Sequence, residues 1–148
     1  MTENTSNAPV ASNLIFLHQI KDQQTNTKVR FLCCTTDYDE QTGCLTVEHR
    51  YSPKGTSQMG TNAIVDVNLI LETIKRPLLQ AGSWINIIGY VHSVPMKQQV
   101  SSSRSRSHGD KGFTLPKVKA ILLWDAGAVQ LDKYENTIEH HLAMTATS

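Results

Sequence analysis

Arginine and lysine side chains neutralise phosphates, and tyrosine rings stack on nucleobases. The residues here whose types suit that chemistry are Arg30, Tyr38, Arg50, Tyr51, Tyr90, Lys97, Arg104 and Arg106. Lys97, Arg104, Arg106 and Lys111 share one serine-rich stretch, with Lys117 and Lys119 just beyond it, as a phosphate-contacting arm would require. The same composition equally suits a solvated insertion that touches nothing, and phosphorylation of its serines would reverse its charge. Only 6% of the residues are aromatic, so some of these rings are needed for the core or its rim.

Other constellations fail on geometry. His140 and His141 follow Glu139, but neighbours on a helix diverge by roughly 100° and cannot chelate one ion. Gly55-Thr56-Ser57-Gln58-Met59-Gly60 places its second glycine one position too late for a nucleophile elbow, and no phosphate-binding glycine loop precedes a Lys-Ser or Lys-Thr pair. Cys33 and Cys34 point to opposite faces of a strand, and with Cys44 they form no Cys-x-x-Cys spacing. The expectation is a protein with free thiols, no catalytic residues, no metal and no cofactor.

With 148 residues, 39% of them apolar and 18% charged, the chain has the composition of one globular domain with polar tails. A formal net charge of +1 gives no global attraction for a polyanion, so any nucleic-acid footprint has to be local. No apolar run reaches the roughly eighteen residues of a membrane span, and the first residues lack a basic start and an apolar core, which predicts a soluble intracellular protein.

Positioning these side chains falls to a series of short β-prone runs. Lys28 to Thr36 and Cys44 to Tyr51 flank Asp37 to Gly43, a polar link whose Asp and Gly signal a hairpin. In the second run Leu45, Val47 and His49 or Tyr51 fall on one face, opposite Thr46, Glu48 and Arg50, which is the period of a half-buried strand. After a Gly- and Pro-containing loop, Asn62 to Val67 predicts a third strand, and Asn68 is placed to cap a helix over Leu69 to Lys75 that Pro77 would end. Ser83 to His92 is the strongest strand, with Gly89 suited to a bulge, and Lys117 to Trp124 supplies the fifth. Trp84 and Trp124 are expected as barrel plugs. Leu14 to Ile20 suits either strand or helix.

Three strands, a short helix, a strand, a long loop and a strand is the order of an all-β, five-stranded OB-fold barrel. The expected layout is a disordered tail over 1–13, the barrel over 14–127 with a mobile basic loop at about 96–114, a C-terminal helix over 128–144 and a tail over 145–148. Asp132 and Glu135 have the spacing of a capping box, and Leu131, Tyr134, Ile138 and Leu142 form one apolar stripe. That stripe suits folding back on the barrel or pairing with a partner's helix.

In order, Leu14-Ile15-Phe16-Leu17-His18, Lys28-Val29-Arg30-Phe31-Leu32, Asp37-Tyr38-Asp39, Gly43 to Tyr51, Val65-Asp66-Val67-Asn68, Gly82 to Tyr90 and Ala120 to Trp124 resemble the fungal form of the Ten-one family, the smallest subunit of the CST telomere-capping complex. Cys33 stands where the family's first strand would carry a small residue such as Gly. The resemblance implies a nuclear protein at chromosome ends that heterodimerises with the larger OB-fold subunit of CST and assists binding of single-stranded telomeric DNA, weakly if alone. It makes Leu131, Tyr134, Ile138 and Leu142 the partner interface. A general single-strand binder, or a scaffold without nucleic-acid contact, are the alternatives.

Overall fold

The computed structural model describes residues 11–51, 61–95 and 115–146. Residues 1–10 of the expected tail, the loop at 52–60 and the basic segment at 96–114, with Lys97, Arg104 and Arg106, lie outside the described residues.

Six strands form one sheet: β1 Asn13–Leu14, β2 Lys28–Asp39, β3 Cys44–Glu48, β4 Asn62–Asp66, β5 Trp84–Ser93 and β6 Lys117–Asp125. The five long strands are those expected, and β1 adds a short parallel edge against Val29 and Arg30. A register shift between Thr35 and Asp37 lets β2 serve two neighbours, β5 through its first half and β3 through its second. Pairing continues from β3 to β4, from β4 in parallel to β6 and from β6 to β5, so the β2–β5 ladder closes the sheet on itself.

Strand alternation fills the interior with Val29, Phe31, Cys33, Leu45, Val47, Ala63, Val65, Ile85, Ile87, Val91, Val118 and Ala120. Burial pushes the Cys33 thiol well up. Gly89 sits where the β5–β6 register shifts, and a Cβ there would lie 2.4 Å from the Lys119 carbonyl oxygen. Backbone contact this close admits no side chain, which gives the sequence signal at Gly89 its cause.

Three expectations are corrected locally. The helix expected over Leu69 to Lys75 is a 3-10 helix, η2 Asn68–Thr73, and a second one, η3 Arg76–Leu79, follows it with Pro77 in its first turn. A segment this short forms too few i to i−4 bonds to repay α-helix nucleation, and Pro77 lacks the amide hydrogen needed to continue one. Asn68 does not cap: its Nδ2 donates to the Thr42 carbonyl at 2.7 Å and to Asp66 Oδ1 at 2.8 Å, tying η2 to the β2–β3 hairpin. Burial alone would raise the Asp66 pKa, but the Asn68 donors and then Lys117 and Lys119 outweigh it and hold it below the usual value. Leu14 to Ile20 is neither one strand nor one helix; it divides into β1 and η1, a 3-10 helix over Leu17–Asp22, with Ile15, Leu17 and Ile20 in the core.

The C-terminal helix α1 spans Leu131–Ala146. The Tyr134 amide donates to the Gln130 carbonyl at 3.0 Å, so Asp132 and Glu135 both lie inside the helix and the capping box expected from their spacing does not form. Glu135 is used elsewhere, as described next.

Candidate functional site

α1 turns its apolar stripe onto its own barrel. Ile138, 1% exposed, packs with Phe16 and Tyr51, and half-buried Tyr134 and Leu142 join Leu14 around them. Of the two uses open to the stripe, folding back on the barrel is the one seen for Ile138, while Leu131 is half-buried.

Two carboxylates fix the register of that contact. Glu135 Oε2 accepts a hydrogen bond from His49 Nε2 at 2.9 Å, and Glu139 accepts one from the Tyr51 hydroxyl. The i, i+4 spacing places both glutamates on one face of α1, and His49 and Tyr51 alternate onto one side of the chain at the end of β3. Around them lie flat rings: Phe16 stacks on Tyr51 at 4.0 Å, His18 stacks on Tyr51 at 5.5 Å, and the Trp84 ring meets His49 edge-on at 5.6 Å. Burial, then the bond to Glu139, raises the Tyr51 pKa, and burial pushes Tyr134 up to about 12. Burial and the nearby Lys21 charge lower the His18 pKa, so its neutral form is favoured. Tyr51, read as a base-stacking ring, is instead 6% exposed beneath α1. Glu139, read beside His140 and His141, is engaged by Tyr51, and both histidines are exposed.

A second feature lies on the outer surface of β2, β5 and β6. Cross-strand rows run Lys28–Tyr90–Lys119, Arg30–Ile88–Leu122 and Leu32–Asn86–Trp124. Leu122 is 51% exposed at the middle row, and the Arg30 guanidinium lies 5.5 Å from the centre of the Trp124 ring. The face therefore has aliphatic side chains at its centre, a cation–aromatic pair beside them and lysines at its rim. Trp124, expected as a barrel plug, belongs to this outer face.

Of the candidates among the described residues, Arg30 and Tyr90 share this face, with Lys119 in the row of Tyr90. Arg50 is exposed at the end of β3, 3.8 Å from Glu48, and Tyr38 packs half-buried against the core beside η2 and η3. Leu122, Ile88, His49, Glu135 and Glu139 went unsingled by their function. For Leu122 a signal existed: Ala120-Ile121-Leu122-Leu123-Trp124 is apolar without alternation, and a strand with one buried face has no use for apolar residues on both.

A family model described as Ten1, telomere capping, CST complex subunit, matches residues 1–139. The chain belongs to this family. The Ten-one resemblance read from the strands thus holds over nearly the whole sequence, and with it the expected role as a telomere-capping complex subunit. Among solved structures, the chain is similar to one in the crystal structure of the S. pombe Stn1–Ten1 complex, with a TM-score of 0.58, 22% identity and coverage of 92% of this chain and 96% of that one. It is also similar to the telomere capping protein Ten1 of S. pombe, with a TM-score of 0.56, 22% identity and coverage of 90% and 99%. These likenesses establish the OB-fold expected from the element order. No curated protein matches the chain in sequence.

Proposed function

We propose that the chain works at chromosome ends in the nucleus as the small, non-catalytic partner of a larger OB-fold subunit, and that the pair holds single-stranded telomeric DNA. The observation that carries this reading is the family match over residues 1–139. A solved relative is a Stn1–Ten1 complex, which supports pairing with a Stn1-type subunit.

The partner docks on the outer face of β2, β5 and β6. An exposed Leu122 beside Ile88, Tyr90, Trp124 and Arg30 has the apolar centre and the Tyr, Trp and Arg content of a protein interface hot spot. A surface built to bind DNA alone would carry rings and cations in place of the two aliphatic side chains. Arg30 and Tyr90, first read as DNA contacts, thereby become partner contacts, and Arg50 with the basic segment holding Lys97, Arg104 and Arg106 is left for the DNA of the assembled pair.

The test is co-expression of the full chain with the larger subunit, followed by size-exclusion chromatography and titration with a single-stranded telomeric oligonucleotide at several salt concentrations. Co-elution, with Leu122→Glu weakening pairing at least tenfold and Leu69→Glu leaving it intact, is the expected result. Oligonucleotide affinity of the pair should fall steeply with salt and exceed that of the larger subunit alone. Equal affinity with and without the chain would reduce its role to a scaffold.

A further inference from the structure

Helix α1 and the cradle that holds it are a matched pair of surfaces carried on one chain. The cradle belongs to the barrel: Phe16 leads into η1, His49 and Tyr51 follow β3, and Trp84 of β5 meets His49 edge-on. The helix supplies Glu135, Ile138 and Glu139, whose i, i+3, i+4 spacing puts all three on one face. Ile138 packs on Phe16 and Tyr51, and the two carboxylates accept from His49 and Tyr51.

This pair is separable from the rest of the fold. Among the described residues, the cluster that fills the barrel interior contains no side chain of α1, so that core stays whole when the helix leaves. Ile138 is the one α1 side chain among them that is fully buried. The barrel ends at Ala126, whose amide donates to the Trp84 carbonyl at 2.9 Å, and the link beyond it is only Gly127 to Gln130. Gly127 holds a φ of 69°, with nothing within 4 Å of where a Cβ would lie, and glycine takes this conformation or an extended one with equal ease. The turn in the link therefore opens without strain or steric obstruction at Gly127.

The same bonds and the same buried side chain form whichever molecule supplies the helix. Exchange between two copies recovers each contact made in the closed chain, so concentration sets the balance, and a short hinge favours the open form. We infer that the cradle of Phe16, His49 and Tyr51 also takes α1 of a second copy, and that two chains form a dimer by reciprocal exchange of this helix. The fit of the occupant is the fit seen between Glu135, Ile138, Glu139 and the cradle. The exchanged contact uses neither Leu122 nor Tyr90 on the outer sheet face, so it stands or falls independently of pairing with the larger subunit.

The experiment uses the full chain in two damaged forms. One carries His49→Leu and Tyr51→Phe, which remove both donors from the cradle and leave the helix intact; the other carries Glu135→Ala and Glu139→Ala, which remove both acceptors from the helix and leave the cradle intact. In sedimentation each alone should be monomeric, and the mixture should dimerise at least tenfold more tightly, because the intact helix of the first form fits the intact cradle of the second. Deleting Gly127 to Val129 from the otherwise unchanged chain leaves barrel and contact untouched, and should shift it from monomer to dimer because the shortened link no longer turns back. A mixture no more dimeric than its components, a hinge-shortened chain that stays monomeric, or a dimer dissolved by Leu122→Glu would each overturn the assignment.

Discussion

His49 and Glu135 stand 86 residues apart in the chain and meet through Nε2 and Oε2 at 2.9 Å, with the histidine side chain 1% exposed. Because an ionised carboxylate only accepts, the imidazole must carry its proton on Nε2. The pair joins the far end of β3 to the first turns of α1, and the Tyr51–Glu139 bond repeats the link one helical turn on. Two such links leave α1 one docking register, since sliding the helix by one residue would strand both donors.

Glu135→Ala should therefore lower stability by about 1–3 kcal/mol, because a buried donor on His49 is left unmade. Glu135→Gln restores an acceptor and should recover most of the loss. Urea unfolding of the two variants beside the parent measures the difference, and equal values for Ala and Gln would show that the bond contributes nothing.

Ile138→Ala should cost about 2–4 kcal/mol, the range for truncating a fully buried aliphatic chain. Hydrogen exchange resolves where the loss falls: amides of α1 should lose protection before those of β5. If Ile138→Ala keeps the parent's stability but loses the larger subunit, the stripe is a partner surface after all.

His18 gives a pH dependence whose sign follows from its environment. Its folded pKa lies below the unfolded 6.5, so the unfolded chain binds the proton more readily. The stability it contributes is complete above 6.5 and is lost as the pH falls through the folded value. His18→Phe keeps a ring against Tyr51 and removes the proton site. Melting curves between pH 7 and 5 should then fall less steeply for the variant than for the parent.

Gly89→Ala should be among the most damaging small substitutions. The new Cβ would meet the Lys119 carbonyl at 2.4 Å and the Ala120 Cα at 3.0 Å, both backbone atoms that cannot swing aside. Loss of soluble protein, or a melting temperature lowered by many degrees, is expected. Gly82→Ala is the control with open space, because a Cβ there meets nothing within 4 Å, although its φ of 98° still adds strain.

Much of the barrel could be read along the chain. Leu45, Val47 and His49 alternate with Thr46, Glu48 and Arg50 because a strand with one buried face must alternate, and the Asp-to-Gly link at Asp37 to Gly43 has to turn between such strands. Gly89 announced a bulge for the same local reason. The order of these elements was enough to specify an OB-fold, since few closed sheets accept it.

What the sequence by itself determined about this protein is thus the five long strands, their buried faces and the family to which they belong, all of which rest on residues near one another in the chain. Tertiary structure alone decided how the rest is used. Tyr51 reads as an exposed ring until Glu139, 88 residues later, folds over it. Ile138 and Tyr134 read equally as partner anchors or internal packing, because an apolar stripe has the same spacing whatever it covers. The groove beside Tyr38 needs β2, η2 and η3 brought together. Contacts of this length depend on which surfaces compete for the same apolar face, and that competition is settled by closing the barrel.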